Sequence, residues 1–174
     1  MCNFSNVQSK LYIFIMFKLI DIKTKINFQL FLFGLFKVPM ISYCRPRLVS
    51  ISDKSIEIKI KLNRRTKNHL NSMYFGALSV GADVTGGFLA MQCIRASDSN
   101  IALIFKDFHA DFLKRAEGDV HFICDEAEII SQLVEKAEKS LERENLLVTI
   151  IAKVPSISED VIAKFKLTLS LKKR

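Results

Sequence analysis

Asp83 is the residue in this 174-residue chain whose surroundings most invite chemistry. It lies within Ser72–Gln92, a stretch apolar almost all round that contains no Lys or Arg. An ionised carboxylate is rarely buried unless paired, because leaving water costs more than an apolar interior returns. Two outcomes stay open. Asp83 reaches a polar pocket, where it becomes a candidate base or nucleophile with a tunable pKa. Otherwise it is a structural carboxylate bonded to backbone or to a neighbouring loop.

The element that must carry Asp83 is a helix buried on every side, since its apolar residues follow no single stripe. Four of the six glycines fall in it, Gly76, Gly81, Gly86 and Gly87. Each costs up to ~1 kcal/mol against alanine in a helix. Close approach of other backbone would repay that cost, as when a sheet curls tightly round the helix. Ser72 is the candidate N-cap.

Strand signals surround this helix. Ile56, Ile58, Ile60 and Leu62 alternate with polar residues over 55–62. Ile101–Ala110 reads as a central strand and Asp119–Asp125 as its antiparallel neighbour, joined by a turn at Gly118. Glu126–Glu144 places Ile130, Leu133, Val134, Ala137 and Leu141 on one helical face, so this helix belongs outside the sheet or at its edge. Leu147–Val154 and Val161–Leu171 complete the strands. Strands come in runs and not in alternation with helices, which indicates an α+β fold with an antiparallel sheet.

Length indicates one domain. Residues 1–39 read as a hydrophobic extension, helical or partly disordered, and 40–174 as the domain itself. Residues 11–36 are rich in Phe, Ile and Leu, but charges at Lys10, Lys18, Asp21, Lys23 and Lys25 bound and break the pattern, and the apolar run Leu11–Phe17 falls short of the ~20 residues a membrane span requires. An apolar helix over Phe28–Phe36, packed on the domain, is expected there, and a surface-membrane anchor is the lesser reading. Met16 and Met40 both offer internal starts. Cys2, Cys44, Cys93 and Cys124 lack metal or disulfide spacing, which suits reduced thiols in the cytosol. His69, His109 and His121 are scattered. The net charge of +8 favours anionic partners. No nucleic-acid motif appears, and no phosphate-binding loop, HExxH or GxSxG.

Residues 68–87, NHLNSMYFGALSVGADVTGG, resemble the central-helix signature of the hotdog thioesterase superfamily, most of all its PaaI-like (phenylacetyl-CoA-type) branch. That signature has an Asn, a His-Gly-Gly at the helix start and an acid two and a half turns on. Asn68, Gly76 and Asp83 match it. Residues 110–119, ADFLKRAEGD, resemble the strand and turn that follow in these proteins. The resemblance spans roughly residues 40–171. It departs from the family where Tyr74 stands for the His and Phe75 for the first Gly.

The resemblance implies a hotdog fold, a curved antiparallel sheet wrapped around a central helix, and hydrolysis of an acyl thioester such as acyl-CoA. It implies a homodimer or dimer of dimers, with the site at the subunit interface and no cofactor or metal. Asp83, Asn68 and Gly76 would be catalytic. Backbone N–H groups near Phe75 and Gly76 would polarise the carbonyl, Asp83 would act as base or nucleophile, and Asn68 would position water or the carbonyl. Tyr74 and Phe75 would meet the substrate, with Lys114 and Arg115 near the coenzyme A phosphates; exposed turn charges are the commoner reading of that pair. The location is expected to be cytoplasmic. The alternative is a non-catalytic module that binds acyl-CoA or a fatty acyl group, motivated by Tyr74 and Phe75.

Overall fold

Period-two alternation sets the sheet. Ile56, Ile58 and Ile60; Val120, Phe122 and Cys124; Val148, Ile150, Ala152 and Val154; and Ala163, Phe165, Leu167, Leu169 and Leu171 are all buried and form one apolar face. Lysines, Glu57 and His121 occupy the opposite side. Each large side chain so buried contributes ~1.5–3 kcal/mol. The computed structural model describes residues 22–174. The expectations about the apolar run 11–17, Cys2 and the start at Met16 lie outside them.

The elements are α1 (22–36), α2 (Pro39–Cys44), β1 (Arg47–Ile51), β2 (Ile56–Ile60), α3 (Phe75–Ala96), β3 (Ile101–Phe112), β4 (Val120–Cys124), α4 (Ala127–Lys139), β5 (Glu144–Val154) and β6 (Ser158–Lys173). The six strands form one antiparallel sheet in the order β1-β2-β4-β5-β6-β3. The core helix α3 touches β2, β3, β4, β5 and β6, and also α2 and α4. It is long and apolar enough to cross a membrane, but most of it is enclosed within the protein.

The α+β class, the antiparallel sheet and the buried central helix agree with the sequence reading. The expected wrapping of the sheet around the helix does not. Among the described residues the sheet is open, with β1 and β3 as its edges, and helices α2 and α4 also pack on α3. The glycines explain the difference. A Cβ on Gly81 would stand 2.2 Å from the Phe122 ring, one on Gly87 would stand 3.1 Å from the Phe105 ring, and one on Gly86 would stand 3.3 Å from Ile150. The notches receive large side chains from the sheet face, not the backbone of a curling sheet.

Three local expectations also change. β3 and β4 are not neighbours: among the described residues β3 pairs with β6 alone, while β4 lies between β2 and β5. Gly118 therefore belongs to a connection that crosses the sheet and not to a hairpin. Helix α4 packs directly on α3 and touches β5 and β6. It ends at Lys139, leaving Leu141 exposed beyond the buried stripe. The N-cap position of α3 is Tyr74 and not Ser72, and no side chain caps the helix there. Strand β1, in the segment before 55–62, has no counterpart in the sequence reading.

Candidate active site

The start of α3 is held by a stapled loop. Thr66 is fully buried; its hydroxyl donates to the Lys61 carbonyl at 2.7 Å and accepts from the Asn63 N–H at 3.0 Å. Its own carbonyl accepts from the Tyr74 N–H at 2.7 Å, and the Ala116 carbonyl accepts from the Met73 N–H at 2.8 Å. These bonds fix the chain just before the helix. The first carbonyl of the ladder, that of Tyr74, accepts from Ala77 and Leu78. The Phe75 and Gly76 N–H groups, among the orphan donors of any helix start, have no hydrogen-bond partner among the described residues. The helix dipole adds positive potential there.

Tyr74 and Phe75 flank these donors as an exposed aromatic pair, with ring centroids 4.6 Å apart. Gly76 is what lets the tyrosine ring lie there, because a Cβ would come within 2.5 Å of it. The glycine thus makes room for the residue standing where the family usually has histidine. Asn68 belongs to the loop itself. Its Oδ1 accepts from the Leu70 N–H at 2.9 Å and the Ser72 N–H at 3.2 Å, and its Nδ2 donates to Ser72 Oγ at 3.1 Å.

Asp83 lies about two turns further along α3, ~12 Å from the helix start at 1.5 Å per residue. It lines a groove of about 460 Å³ together with Leu30 and Phe33 of α1, Gly87 of α3 and Leu103 and Phe105 of β3. No ion pair or hydrogen bond reaches its side chain among the described residues. Burial alone pushes its carboxyl above the ordinary range for aspartate. The sequence reading allowed a polar pocket or a structural bond; Asp83 instead lines a largely apolar groove and makes no side-chain bond among the described residues. The groove is largely apolar, with Arg95 and Arg174 also among its lining residues.

Within one chain the helix-start donors and Asp83 are therefore apart. Lys114 and Arg115 join neither group. Lys114 Nζ lies 2.7 Å from Asp160 Oδ2, and Arg115 donates to the Leu70 carbonyl at 2.6 Å while facing Glu117 at 3.4 Å. His121 bonds Glu57 at 2.6 Å on the polar side of the sheet, and exposed His109 contacts Asp111 at 3.2 Å. Sequence reasoning missed Thr66, whose only local signal was a buried-type role for a hydroxyl within a basic loop. It also missed Leu30, Phe33, Phe105, Arg95 and Arg174. These converge from opposite ends of the chain, and no local spacing marks them.

The inner face of β3 continues past the groove. After an irregularity between Phe105 and Phe108, Phe108 and Phe112 lie near Phe165, at ring-centroid distances of 5.9 and 6.0 Å, yet both stay exposed. An apolar strip thus runs along an unpaired sheet edge.

Comparison with known proteins gives the family. Residues 28–169 match the model of a family described as a domain of unknown function, DUF4442. No curated protein matches. Among solved structures, a protein of unknown function from Chlorobaculum tepidum superposes with a TM-score of 0.76 at 11% identity, covering 87% of this chain and 97% of its own. A Pseudomonas aeruginosa protein of unknown function, described as "Probable Thioesterase", gives 0.71 at 20% identity, with 87% and 96% covered. A thioesterase from Haemophilus influenzae gives 0.61 at 15% identity, with 82% and 88% covered. At such identities these likenesses speak for the fold. With the six-stranded sheet, the buried central helix and the matched segment, they lead to one conclusion: the chain belongs to the DUF4442 family and shares its fold with these structures.

Proposed function

We propose that this protein is an acyl thioester hydrolase acting on acyl-CoA or a related thioester, with its sites completed by pairing of two copies. The observation that carries the reading is Asp83: a carboxylate with no side-chain bond among the described residues, in a largely apolar groove beside the central helix. A half-buried acid without a structural bond carries a desolvation cost, and a catalytic role accounts for it.

In the proposed reaction the acyl chain lies along the apolar groove. The thioester carbonyl oxygen faces the Phe75 and Gly76 N–H groups of one subunit, and the Asp83 carboxylate comes from the other. Asp83 takes a proton from water as the water oxygen attacks the carbonyl carbon. The carbonyl π pair moves to oxygen, and the two N–H groups and the helix dipole stabilise that oxyanion. On collapse the C–S bond breaks, and the thiolate takes the proton from Asp83. The products are the free acid and the thiol, and the carboxylate is restored. Asn68 holds the loop that aims the donors, and so positions them through the backbone. Tyr74 and Phe75 form the rim past which the acyl group enters. Lys114 and Arg115 would have to exchange their present partners to meet coenzyme A phosphates.

The aromatic pair over the helix start favours a second reading, binding of an acyl group without hydrolysis. The two are separated by incubating the protein with short-chain, long-chain and aromatic acyl-CoAs and measuring both free thiol and bound ligand. Hydrolysis predicts thiol release with at least one of them. Saturable binding with no thiol release from any of them would support the second reading and contradict the first.

A further inference from the structure

The face of α1 and α2 turned away from the core has the character of a membrane-docking surface. Ile26 and Leu30 of α1 are buried, yet the opposite side of the same helix is not polar. Phe28, Phe31 and Leu35 are spaced i, i+3, i+7 on one face and all three are exposed; Phe36, Met40 and Tyr43 continue the exposed apolar surface through α2. A helix apolar on both sides at the protein surface leaves one side to be covered.

Charge indicates the cover. Residues 22–47 include Lys23, Lys25, Lys37, Arg45 and Arg47 and no Asp or Glu. Beside the apolar strip, a groove of about 820 Å³ is lined by Phe31, Leu35 and Tyr43 together with Arg45, Arg47 and Arg65, and by no acidic residue. Arg65 lies over the Tyr43 ring, 5.8 Å from its centroid. Aromatic and aliphatic side chains flanked by cations, with a net positive charge and no acid, match the interface of an anionic bilayer. The apolar side chains would enter the acyl boundary and the arginines would meet lipid phosphates. We infer that α1 and α2 seat this protein on an anionic phospholipid surface. The inference rests on the surface alone and is independent of whether the Asp83 groove hydrolyses anything.

The test is co-sedimentation of the full chain with phosphatidylcholine vesicles, with and without phosphatidylserine, at low and high salt. Binding should require phosphatidylserine and weaken with salt. Phe31→Glu and Leu35→Glu should each lower the bound fraction roughly tenfold, as expected for losing a buried side chain, with an unchanged thermal transition. An Arg45→Glu, Arg47→Glu double variant should lose the preference for phosphatidylserine. Equal partition of the wild type and these variants would overturn the inference, since the surface would then play no part. So would absence of binding accompanied by concentration-dependent self-association that Phe31→Glu abolishes, because the occupant would then be a second copy.

Discussion

At the residue scale the account turns on Asp83, whose burial has opposite consequences for stability and activity. Its carboxyl pKa is raised in the folded chain, so between the unfolded and folded values the native state binds more protons than the unfolded one. Stability therefore falls as pH rises through that window, and at neutral pH the fold carries the cost of the charge. Asp83→Asn removes that cost. The variant should melt higher than wild type at pH 7, and the difference should shrink toward pH 3, as followed by thermal unfolding at several pH values. A variant that melts lower at pH 7 would mean the carboxylate has a structural bond. For wild-type hydrolysis, the acid limb of the rate profile should lie above the ordinary aspartate range, with activity lost as pH falls. Cys124 offers a contrast. Burial pushes its thiol up to about 12, which makes it a packed core residue and not a nucleophile. Alkylation of Cys124 in the folded protein should be far slower than in denaturant.

At the element scale, α3 is shaped by what the sheet face inserts into it. Gly81→Ala would set a Cβ against the Phe122 ring at 2.2 Å, and Phe122 is itself fully buried and cannot swing away. Overpacking of this kind costs ~1–3 kcal/mol, to be read as a lowered denaturant midpoint. Gly76→Ala meets only the exposed Tyr74 ring, which can turn toward solvent, so stability should hold while the rim of the helix start is rearranged. Equal destabilisation by the two would contradict this account of the notches. Such detail marks the limit of reading this chain from its residues. The strands over 55–62, 147–154 and 161–171 were legible because alternation states which side chains share a face. The helix was legible because Ser72–Gln92 lacks any polar stripe, and Asp83 stood out against it. Strand order was not legible: nothing local tells β4 to pair with β2 and β5 in place of β3. The glycines were visible, but not whether backbone or side chains filled them. The groove's other walls, Leu30 and Phe33 from α1 and Phe105 from β3, are brought together only by long-range packing.

At the scale of the whole molecule, the proposed reaction requires each chain to supply two half-sites. The Phe75 and Gly76 donors and the Asp83 carboxylate are about two helical turns apart, too far to act on the same carbonyl. The edge strand β3, unpaired on its outer side among the described residues and with Phe108 and Phe112 exposed on its inner face, offers a route to join two chains edge to edge. An exposed apolar edge strand of this length otherwise invites aggregation. Light scattering on the purified chain should give a mass of two or four copies. Phe108→Asp should shift it toward one copy and lower activity with it. A monomer that retains full turnover would remove the shared-site arrangement.

The central claim is that Asp83 moves the proton. Its most direct test is the rate of thiol release at neutral pH, at saturating concentration of whichever acyl-CoA the wild type hydrolyses, compared between wild type and a folded Asp83→Asn. Loss of a positioned base predicts a fall of about a hundred- to ten-thousand-fold with an undiminished melting temperature. A rate within a few-fold of wild type in that folded variant would contradict the claim.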